Sequence, residues 1–327
     1  MNLPARPITL RLRLPCPPDS GPTSWGDYHF AMSLTKALRS LGHKVVVDFA
    51  TRRGNGKVRR AWVLRRIWTN FRTSLWQRPD FDLILRGNVQ YERVATRPCL
   101  MWMISNSHSA SGDEISQMAH VFVASGSHAE ALVAAGHKNV SVLLQCTDPA
   151  LFGPERASDE LRCECLFVGN RRKFERISVT YAVRAGIPVQ IWGRGWDELV
   201  PPERIAGIHI GNFDLGRYYS SARYVLNDHA PDMQADGFAS NRVFDVLASG
   251  VPLVSDPVPD LPPDLARAVY QFDSYAAFKV ACGLAGHETA AQGQERLAIA
   301  ELVRRDHSFD ARAKEIIRKA HEILAAG

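Results

Sequence analysis

The sequence has no apolar run close to the ~20 residues that a helix needs to span a bilayer. Residues 1–15 contain neither a continuous apolar core nor a small-residue cleavage site, the two features of a secretory signal. The chain is therefore predicted not to be an integral membrane protein, and a cytoplasmic location is expected by default.

Cysteine is scarce and shows no pairing pattern. No Cys-x-x-Cys spacing occurs, and most of the cysteines lie in apolar, strand-like runs, where a thiol behaves as a small hydrophobic group. Neither a disulfide nor a structural zinc site is predicted for the six cysteines, which are Cys16, Cys99, Cys146, Cys163, Cys165 and Cys282.

The phosphate-binding motifs of two large enzyme classes are also missing. The Gly-Asn-Gly-Lys segment at 54–57 lacks the spacing of a Walker A loop, and no Gly-x-Gly-x-x-Gly occurs. The sequence therefore does not favour an ATPase or a dehydrogenase.

The length and composition indicate two globular domains. At 327 residues, with 46% hydrophobic and 23% charged residues, the chain can fill two α/β cores, and we expect domains over 1–150 and 151–327. A net charge of +6 favours an anionic partner such as a nucleotide, a phospholipid surface or a nucleic acid. Charge alone does not choose among these three.

The most informative stretch is 236–256, which predicts a loop, a helix and a buried strand. Ser240 or Asn241 can cap the helix, and Gly250 ends it in a left-handed turn. Asp245 then lies about one turn inside the helix, on the same face as Asn241.

This arrangement suits a nucleoside diphosphate. The N–H groups at a helix N-terminus attract phosphate, Arg242 can add a charged contact, and the Asp245 carboxylate can accept ribose hydroxyls. An ordinary capped helix in an α/β domain is the alternative interpretation of this segment.

A second cationic cluster follows a predicted strand that starts at Cys163. Gly169 and Asn170 lead into Arg171, Arg172 and Lys173, and such a cluster at the carboxyl end of a strand can cradle a diphosphate. A solvated basic turn is the alternative.

Residues 242–250 resemble the donor-site signature of GT-B glycosyltransferases, in particular the Arg-x-Phe-Glu-x-x-x-x-Gly pattern of the CgeB-like branch. Arg242, Phe244, Asp245 and Gly250 match, with Asp in place of the usual Glu. Retaining GT-B enzymes carry another acidic residue eight positions earlier, where this chain has Gly237.

Other segments extend the resemblance over nearly the whole chain. Residues 166–170 are similar to the family's LFVGN, 191–196 to its IYGPGW, 208–213 to a segment that meets the nucleobase, and 307–312 to its ending. The donor-binding residues predicted from the motifs and the resemblance are Gly169, Asn170, Arg171, Arg172, Lys173, Trp192, Gly193, Asn212, Phe213, Ser240, Asn241, Arg242 and Asp245.

The resemblance implies a GT-B fold, in which two Rossmann-like domains face each other across an interdomain cleft and the C-terminal helix returns to the N-terminal domain. In the N-terminal half, Asp27 and His29 begin a predicted helix at 26–41, and His108 lies in a polar loop. These three residues are the candidates for a catalytic base, which inversion at the sugar requires. Whether the reaction inverts or retains configuration stays open.

Asp80 and Asp82 form an Asp-x-Asp sequence, which in other glycosyltransferases binds a metal ion. They precede a predicted strand at 83–87, whereas ligands gather at the carboxyl ends of strands in open α/β sheets. No metal site is predicted, and the nucleotide-sugar donor is expected to act without a further cofactor.

Residues 57–78 are rich in arginine and tryptophan. They predict either a core helix with a solvated basic face or a peripheral contact with an anionic membrane. No nucleic-acid partner is expected, because no nucleic-acid motif accompanies the charge.

The function implied by the resemblance is transfer of a sugar from a nucleotide-diphosphate sugar to a glycan, lipid-linked or other acceptor, in bacterial surface-glycan or related glycoconjugate synthesis. Two alternatives stay open: a nucleotide-sugar epimerase of the same fold, and an inactive nucleotide-sugar-binding partner in a glycan-assembling complex.

Overall fold

A computed structural model of the chain describes residues 6–14, 26–49, 78–87, 97–105 and 109–326. The chain forms two compact units. The first comprises Met1–Ala124, Ala129–Leu143 and Phe309–Gly327, and the second comprises Ser125–His128 and Leu144–Ser308. His108 and nearly all of the basic, aromatic segment at 57–78 lie outside the described residues.

The first unit contains a six-stranded parallel sheet in the order β2-β1-β3-β4-β5-β6. Its strands are β1 (Thr9–Leu14), β2 (Lys44–Phe49), β3 (Phe81–Arg86), β4 (Cys99–Met103), β5 (His120–Val123) and β6 (Val140–Val142). Among the described residues up to β6, the helices are α1 (Gly26–Ser40), α2 (Gly112–Ser116) and α3 (Gly126–Ala134).

Apolar strands make the core of this unit, as expected for a parallel sheet covered on both faces. Leu10 and Leu12 of β1 are fully buried, and the buried Trp102 donates its indole N–H to the Leu143 carbonyl at 2.8 Å. The last helix packs here as well, because the rings of Phe30 and Phe309 meet edge to face at 4.8 Å. The predicted return of the C-terminal helix is thus confirmed.

The second unit contains another six-stranded parallel sheet, in the order β12-β11-β10-β7-β8-β9. Its strands are β7 (Cys163–Val168), β8 (Val189–Trp192), β9 (Ile205–Gly207), β10 (Ala222–Asn227), β11 (Leu253–Ser255) and β12 (Val269–Gln271). The order runs outward in both directions from β7 and β10, so these two neighbours form the topological switch point of the sheet.

Helices cover both faces of the second sheet. They are α4 (Ile177–Arg184), α5 (Asn212–Ser221), α6 (Pro231–Ala235), α7 (Asn241–Ala248), α8 (Pro263–Ala266), α9 (Tyr275–Gly286) and α10 (Ala290–Asp306), and the chain ends in α11 (Phe309–Ala326). Helix α7 buries Val243, Phe244 and Leu247 in one core layer, while Val179 and Phe278 fill the layer on the opposite face.

Several sequence predictions agree with these elements. Gly250 ends α7 with a left-handed φ of 67°. The strands predicted from Cys163 and after α7 are present as β7 and β11, and the one predicted at 83–87 is β3, which begins at Phe81 and so includes Asp82. The described cysteines, Cys99, Cys146, Cys163, Cys165 and Cys282, are not joined in disulfides. Within the described residues, no helix combines the length and apolar character needed to cross a membrane.

Candidate functional site

The predicted donor-binding residues of the second unit gather at the carboxyl edge of its sheet. Residues 169–173 directly follow β7, Trp192 ends β8 and Gly193 follows it, and α7 begins beyond β10. This edge includes the switch point between β7 and β10, where the diverging loops of a doubly wound sheet leave a crevice for ligands.

The loops after β7 and β8 are hydrogen-bonded to each other. The Gly169 N–H donates to the Trp192 carbonyl at 2.8 Å, and the Arg194 N–H donates to Asn170 Oδ1 at 2.9 Å. Trp196 adds an indole N–H donated to the Gly169 carbonyl at 2.9 Å. The two loops therefore form one layer, in which hydrogen bonds between the loops hold the backbone of each in place.

Arg242 connects the ends of the two switch-point strands. Its Nη1 donates to Asn227 Oδ1 at 2.8 Å, and its Nη2 donates to the Val168 carbonyl at 2.5 Å. The guanidinium lies 5.3 Å from the Phe167 ring centroid, within the range of a cation–π contact. Arg242 thus holds β7 and β10 together at the base of the site, and its predicted contact with phosphate stays a prediction.

A further arginine, Arg176, was missed from the sequence. Its side chain is only 10% exposed, and its Nη1 donates to Asp228 Oδ1 at 2.6 Å. Burial lowers the pKa of Arg176, nearby Arg242 and Arg172 lower it further, and Asp228 opposes that shift. Three guanidinium groups therefore concentrate positive charge at this edge, which favours an anionic ligand.

A buried polar network lies beneath the start of α7. The His229 side chain is 1% exposed, its Nδ1 lies 2.6 Å from Asp256 Oδ1, and its Nε2 accepts the Ser240 backbone N–H at 3.0 Å. A backbone N–H can only donate, so Nε2 is the accepting nitrogen of His229, and Nδ1 faces Asp256. The network holds Ser240, the N-cap residue of α7, in place.

Ser240 occupies the N-cap position of α7, yet its hydroxyl does not cap the helix. It donates instead to Asn227 Oδ1 at 3.1 Å. The side-chain cap expected of Ser240 or Asn241 is therefore absent, because the polar network competes for the hydroxyl. The Val243 N–H donates to the Ser240 carbonyl at 3.0 Å, and the start of α7 has no side-chain cap, as in helix N-termini that bind phosphate.

Asp245 lies one turn inside α7 and contacts Asn241, as the helical spacing predicts. It is 6% exposed, and its oxygens accept from Thr147 Oγ1 and from Asn241 Nδ2, both at 2.7 Å. Burial raises the pKa of Asp245 to about 8, and the two hydrogen bonds oppose that shift. The predicted contact of this carboxyl group with ribose stays a prediction.

Some of the buried polar atoms without a partner lie along the same edge, while others, such as Thr35 Oγ1 and His321 Nε2, belong to the first unit. In the part of the chain that the structure describes, Arg176 Nε, Trp192 Nε1, Asn241 Oδ1 and Arg242 Nε have no hydrogen-bond partner. Buried polar groups are nearly always paired, and unpaired ones in a native protein often mark a ligand or water position. Their grouping here indicates a polar ligand site.

The remaining predicted donor-binding residues are exposed or half-buried at this edge. Arg171, Arg172 and Lys173 extend into solvent, and Asn212 and Phe213 begin α5. Phe213 is 73% exposed, which is unusual for a large apolar side chain and leaves its ring available for stacking.

The predicted catalytic residues belong to the first unit. Asp27 lies in the first turn of α1, and the ring centroid of His29 is 5.5 Å from that of Tyr28. His108 lies outside the described residues.

The Asp-x-Asp sequence is engaged in structural contacts. Asp82 is fully buried and bonded to both Nε and Nη2 of Arg11, and Asp80 accepts the Thr9 N–H at 2.7 Å. In the described ranges, no group of three or more His, Cys, Asp or Glu residues is arranged to hold a metal ion.

Comparisons with known proteins support the fold and a glycosyltransferase. A model of the family described as "Glycosyl transferase-like" matches residues 171–318, which include most of the candidate residues, and this match supports a glycosyltransferase. A search of curated proteins found no significant match.

Solved structures show the fold. AviGT4, a glycosyltransferase involved in avilamycin A biosynthesis, is 17% identical with a TM-score of 0.66, covering 98% of this chain and 99% of that chain. Sucrose-phosphate synthase from Thermosynechococcus elongatus is 12% identical with a TM-score of 0.64, covering 98% and 100%. Anabaena Alr3699/HepE, solved in complex with UDP-glucose, is 9% identical with a TM-score of 0.64, covering 96% and 100%. The chain has the GT-B fold of these glycosyltransferases.

Proposed function

We propose that this protein is a glycosyltransferase whose second unit binds a nucleotide-diphosphate sugar at the carboxyl edge of its sheet. The observation that carries the proposal is the cluster of positive charge at the switch point, beside buried polar atoms that have no partner in the described residues. Arg172, Arg176 and Arg242 lie together there, beside the uncapped start of α7. The two phosphates of a nucleoside diphosphate can pair with these arginines and with the N-terminus of α7.

In the proposed reaction, an acceptor hydroxyl oxygen forms a bond to the anomeric carbon of the sugar. The bond from that carbon to the phosphate oxygen breaks, its electron pair leaves with the diphosphate, and the hydroxyl proton passes to a base. Arg171, Arg172 and Lys173 would stabilise the charge that develops on the leaving diphosphate. If the reaction inverts configuration, Asp27 and His29 are the described candidates for the base.

The nucleobase of the donor, the transferred sugar and the acceptor form the more specific part of the proposal. The related fold of Alr3699/HepE was solved with UDP-glucose, so a uridine donor is the first choice to test. We propose a glycan or lipid-linked acceptor in bacterial surface-glycan or related glycoconjugate synthesis, and turnover that needs no metal ion.

The test is a thermal-shift panel of UDP, GDP, dTDP, CMP and ADP sugars, followed by a turnover assay for release of the free nucleotide. A bound donor raises the melting temperature, because it stabilises only the folded state. We expect one nucleotide class to raise it and to be hydrolysed slowly in the presence of excess EDTA.

The other outcomes separate the alternatives. Conversion of the bound sugar to its epimer indicates the epimerase. Binding without any turnover indicates an inactive nucleotide-sugar-binding partner. No shift with any nucleotide sugar contradicts the proposal, and activity that is lost in EDTA and restored by Mg²⁺ or Mn²⁺ contradicts metal-independent turnover.

A further inference from the structure

A cavity of about 290 Å³ lies beside α4 in the second unit. Its apolar walls come from one face of α4 and from the segment after β8, through Val179, Val183, Trp196, Leu199 and Val200. Val179, Trp196 and Val200 belong to the core layer on the opposite face of the sheet from α7. The cavity and the start of α7, where the diphosphate is proposed to bind, therefore lie on different faces of the sheet.

The rest of the lining is largely charged. Arg171, Lys173 and Glu175 are exposed and mark the mouth of the cavity, and Arg176 lines it as well. Arg176 is paired with Asp228, whereas Arg171 and Lys173 form no ion pair within the described residues. These two cations outnumber the single carboxylate of Glu175, so the mouth favours an anion.

The interior favours an apolar group. The Trp196 indole N–H is already donated to the Gly169 carbonyl at 2.9 Å, so the ring offers the cavity no free donor. Leu199 is 51% exposed, which leaves apolar surface for a ligand to cover. Phe174, whose ring centroid lies 5.1 Å from the Arg176 guanidinium, adds an aromatic surface near the charged mouth. A ligand therefore gains most here by burying an apolar or aromatic group.

The size of the cavity limits that group. A water molecule accounts for about 30 Å³ of the liquid, so a volume of about 290 Å³ corresponds to about ten non-hydrogen atoms. A naphthyl group or the end of an alkyl chain has this size, whereas a complete nucleotide sugar is several times larger.

We propose that this cavity is a second ligand site, which holds an apolar or aromatic group carrying a phosphate or a carboxylate. The apolar group lies between α4 and residues 196–200, and the anion lies at Arg171 and Lys173. Two kinds of molecule share this chemistry: the phosphate end of a lipid-linked acceptor, and a soluble aromatic acid or phosphate. The site goes beyond the proposed donor site, because it takes a different molecule.

The two sites share cations. Arg171 and Lys173 are also proposed to stabilise the leaving diphosphate, so an anion in the cavity draws on the same charges. Each ligand should therefore weaken binding of the other by the same limited factor, at most about tenfold, and neither should displace the other completely.

The test is calorimetric titration of 1-naphthyl phosphate into the wild type, T180W, L199E and the control Q294W. Thr180 is an exposed residue of the cavity lining, so a tryptophan there adds bulk to the cavity rather than to the core, and L199E replaces an apolar wall with a carboxylate. Q294W adds the same ring to an exposed position of α10. We expect the wild type and Q294W to bind equally, and T180W and L199E to bind at least about tenfold more weakly because they lose the apolar contact.

Two partial ligands test the chemistry of the site. Inorganic phosphate has only the charged group and 1-naphthol has only the apolar one, so each should bind at least about tenfold more weakly than 1-naphthyl phosphate. Decyl phosphate then distinguishes the two sources. Tighter binding than 1-naphthyl phosphate identifies a lipid-linked acceptor, and weaker binding identifies a soluble aromatic ligand.

The inference is overturned if the wild type binds neither 1-naphthyl phosphate nor decyl phosphate, or if T180W and L199E bind them like the wild type. It is also overturned if saturating UDP displaces 1-naphthyl phosphate completely, because this probe then occupies the donor site. Binding of the probe without binding of any nucleotide contradicts the proposed function alone, since T180W and L199E still locate the probe in the cavity.

Discussion

Gly193 approaches Gly169 so closely that a Cβ atom on Gly193 would lie 2.1 Å from the Gly169 carbonyl oxygen. No side chain fits there, so the loops after β7 and β8 can form their common layer only with glycine at 193. We predict that G193A lowers the free energy of unfolding by about 1–3 kcal/mol, the usual cost of overpacking, and weakens donor binding.

Chemical denaturation and a nucleotide titration check this prediction. The matched control is G283A, because a Cβ on Gly283 in α9 meets nothing within 4 Å. Alanine has the higher helix propensity, so G283A should leave stability unchanged or raise it by up to about 1 kcal/mol. Equal stability of G193A and G283A would refute the account of the loop layer.

The Asp245 carboxyl should make stability fall as pH rises. Burial raises its pKa from 3.8 to about 8, so between these values the folded state retains a proton that the unfolded state has released. The stabilising contribution of Asp245 is therefore full below pH 3.8 and lost as pH rises through 8. D245N removes this titration while keeping a side chain of the same shape.

Urea denaturation of the wild type and D245N at pH 5 and pH 8.5 measures the effect. We expect the free energy of unfolding of D245N minus that of the wild type to increase with pH. A difference that is constant or decreasing would show that Asp245 is ionised in the folded protein across this range.

His120 should act in the opposite direction. Burial lowers its pKa from 6.5 to about 4, nearby Lys319 lowers it further, and Glu322 and Glu315 partly oppose the shift. Its Nε2 lies 2.8 Å from Ser141 Oγ. The stabilising contribution of His120 is thus full above pH 6.5 and lost as pH falls toward 4, because only the unfolded state gains a proton in that interval.

The matched variant is H120Q, which can keep a hydrogen bond to Ser141 and does not titrate. Between pH 7 and pH 4.5, the wild type should lose stability relative to H120Q in urea denaturation. Parallel curves for the two proteins would mean that His120 titrates near its ordinary pKa.

The segment 57–78 lies outside the described residues, and its sequence supports a separate prediction. If Arg59, Arg60, Arg65 and Arg66 face lipid headgroups, the protein should sediment with vesicles only when they contain anionic lipid. Changing two of these arginines to Glu should abolish sedimentation with little change in melting temperature, and ~0.5 M salt should weaken it. Indifference to anionic vesicles at low salt would favour a helix of the core instead.

Local patterns predicted much of the fold and part of the site. The helical spacing placed Asp245 on the face of Asn241, and Gly250 marked the end of α7, because both depend on residues close in sequence. The strands followed from apolar runs in the same way. The residues at which loops and strands end were harder to predict, since they depend on hydrogen bonds to segments distant in sequence.

Local sequence patterns could not predict the contacts that shape the site. His229 pairs with Asp256, which is 27 positions away, and Asp245 pairs with Thr147, which is 98 positions away. Neither separation carries a periodic signal, so the sequence could not show that the Asp245 carboxyl is buried. Arg176 was missed for the same reason, although its place three residues after Lys173 was a usable hint.

We propose that the carboxyl edge of the second sheet binds a nucleoside diphosphate. The most direct measurement is calorimetric titration of UDP and GDP into the wild type, R171E/K173E and the charge-matched control K138E/K279E, whose changed residues are exposed elsewhere. We predict binding by the wild type and the control, and at least about a hundredfold weaker binding by R171E/K173E, because two charged contacts to phosphate become repulsive. Equal affinity of all three proteins, or no binding by the wild type, would contradict the claim.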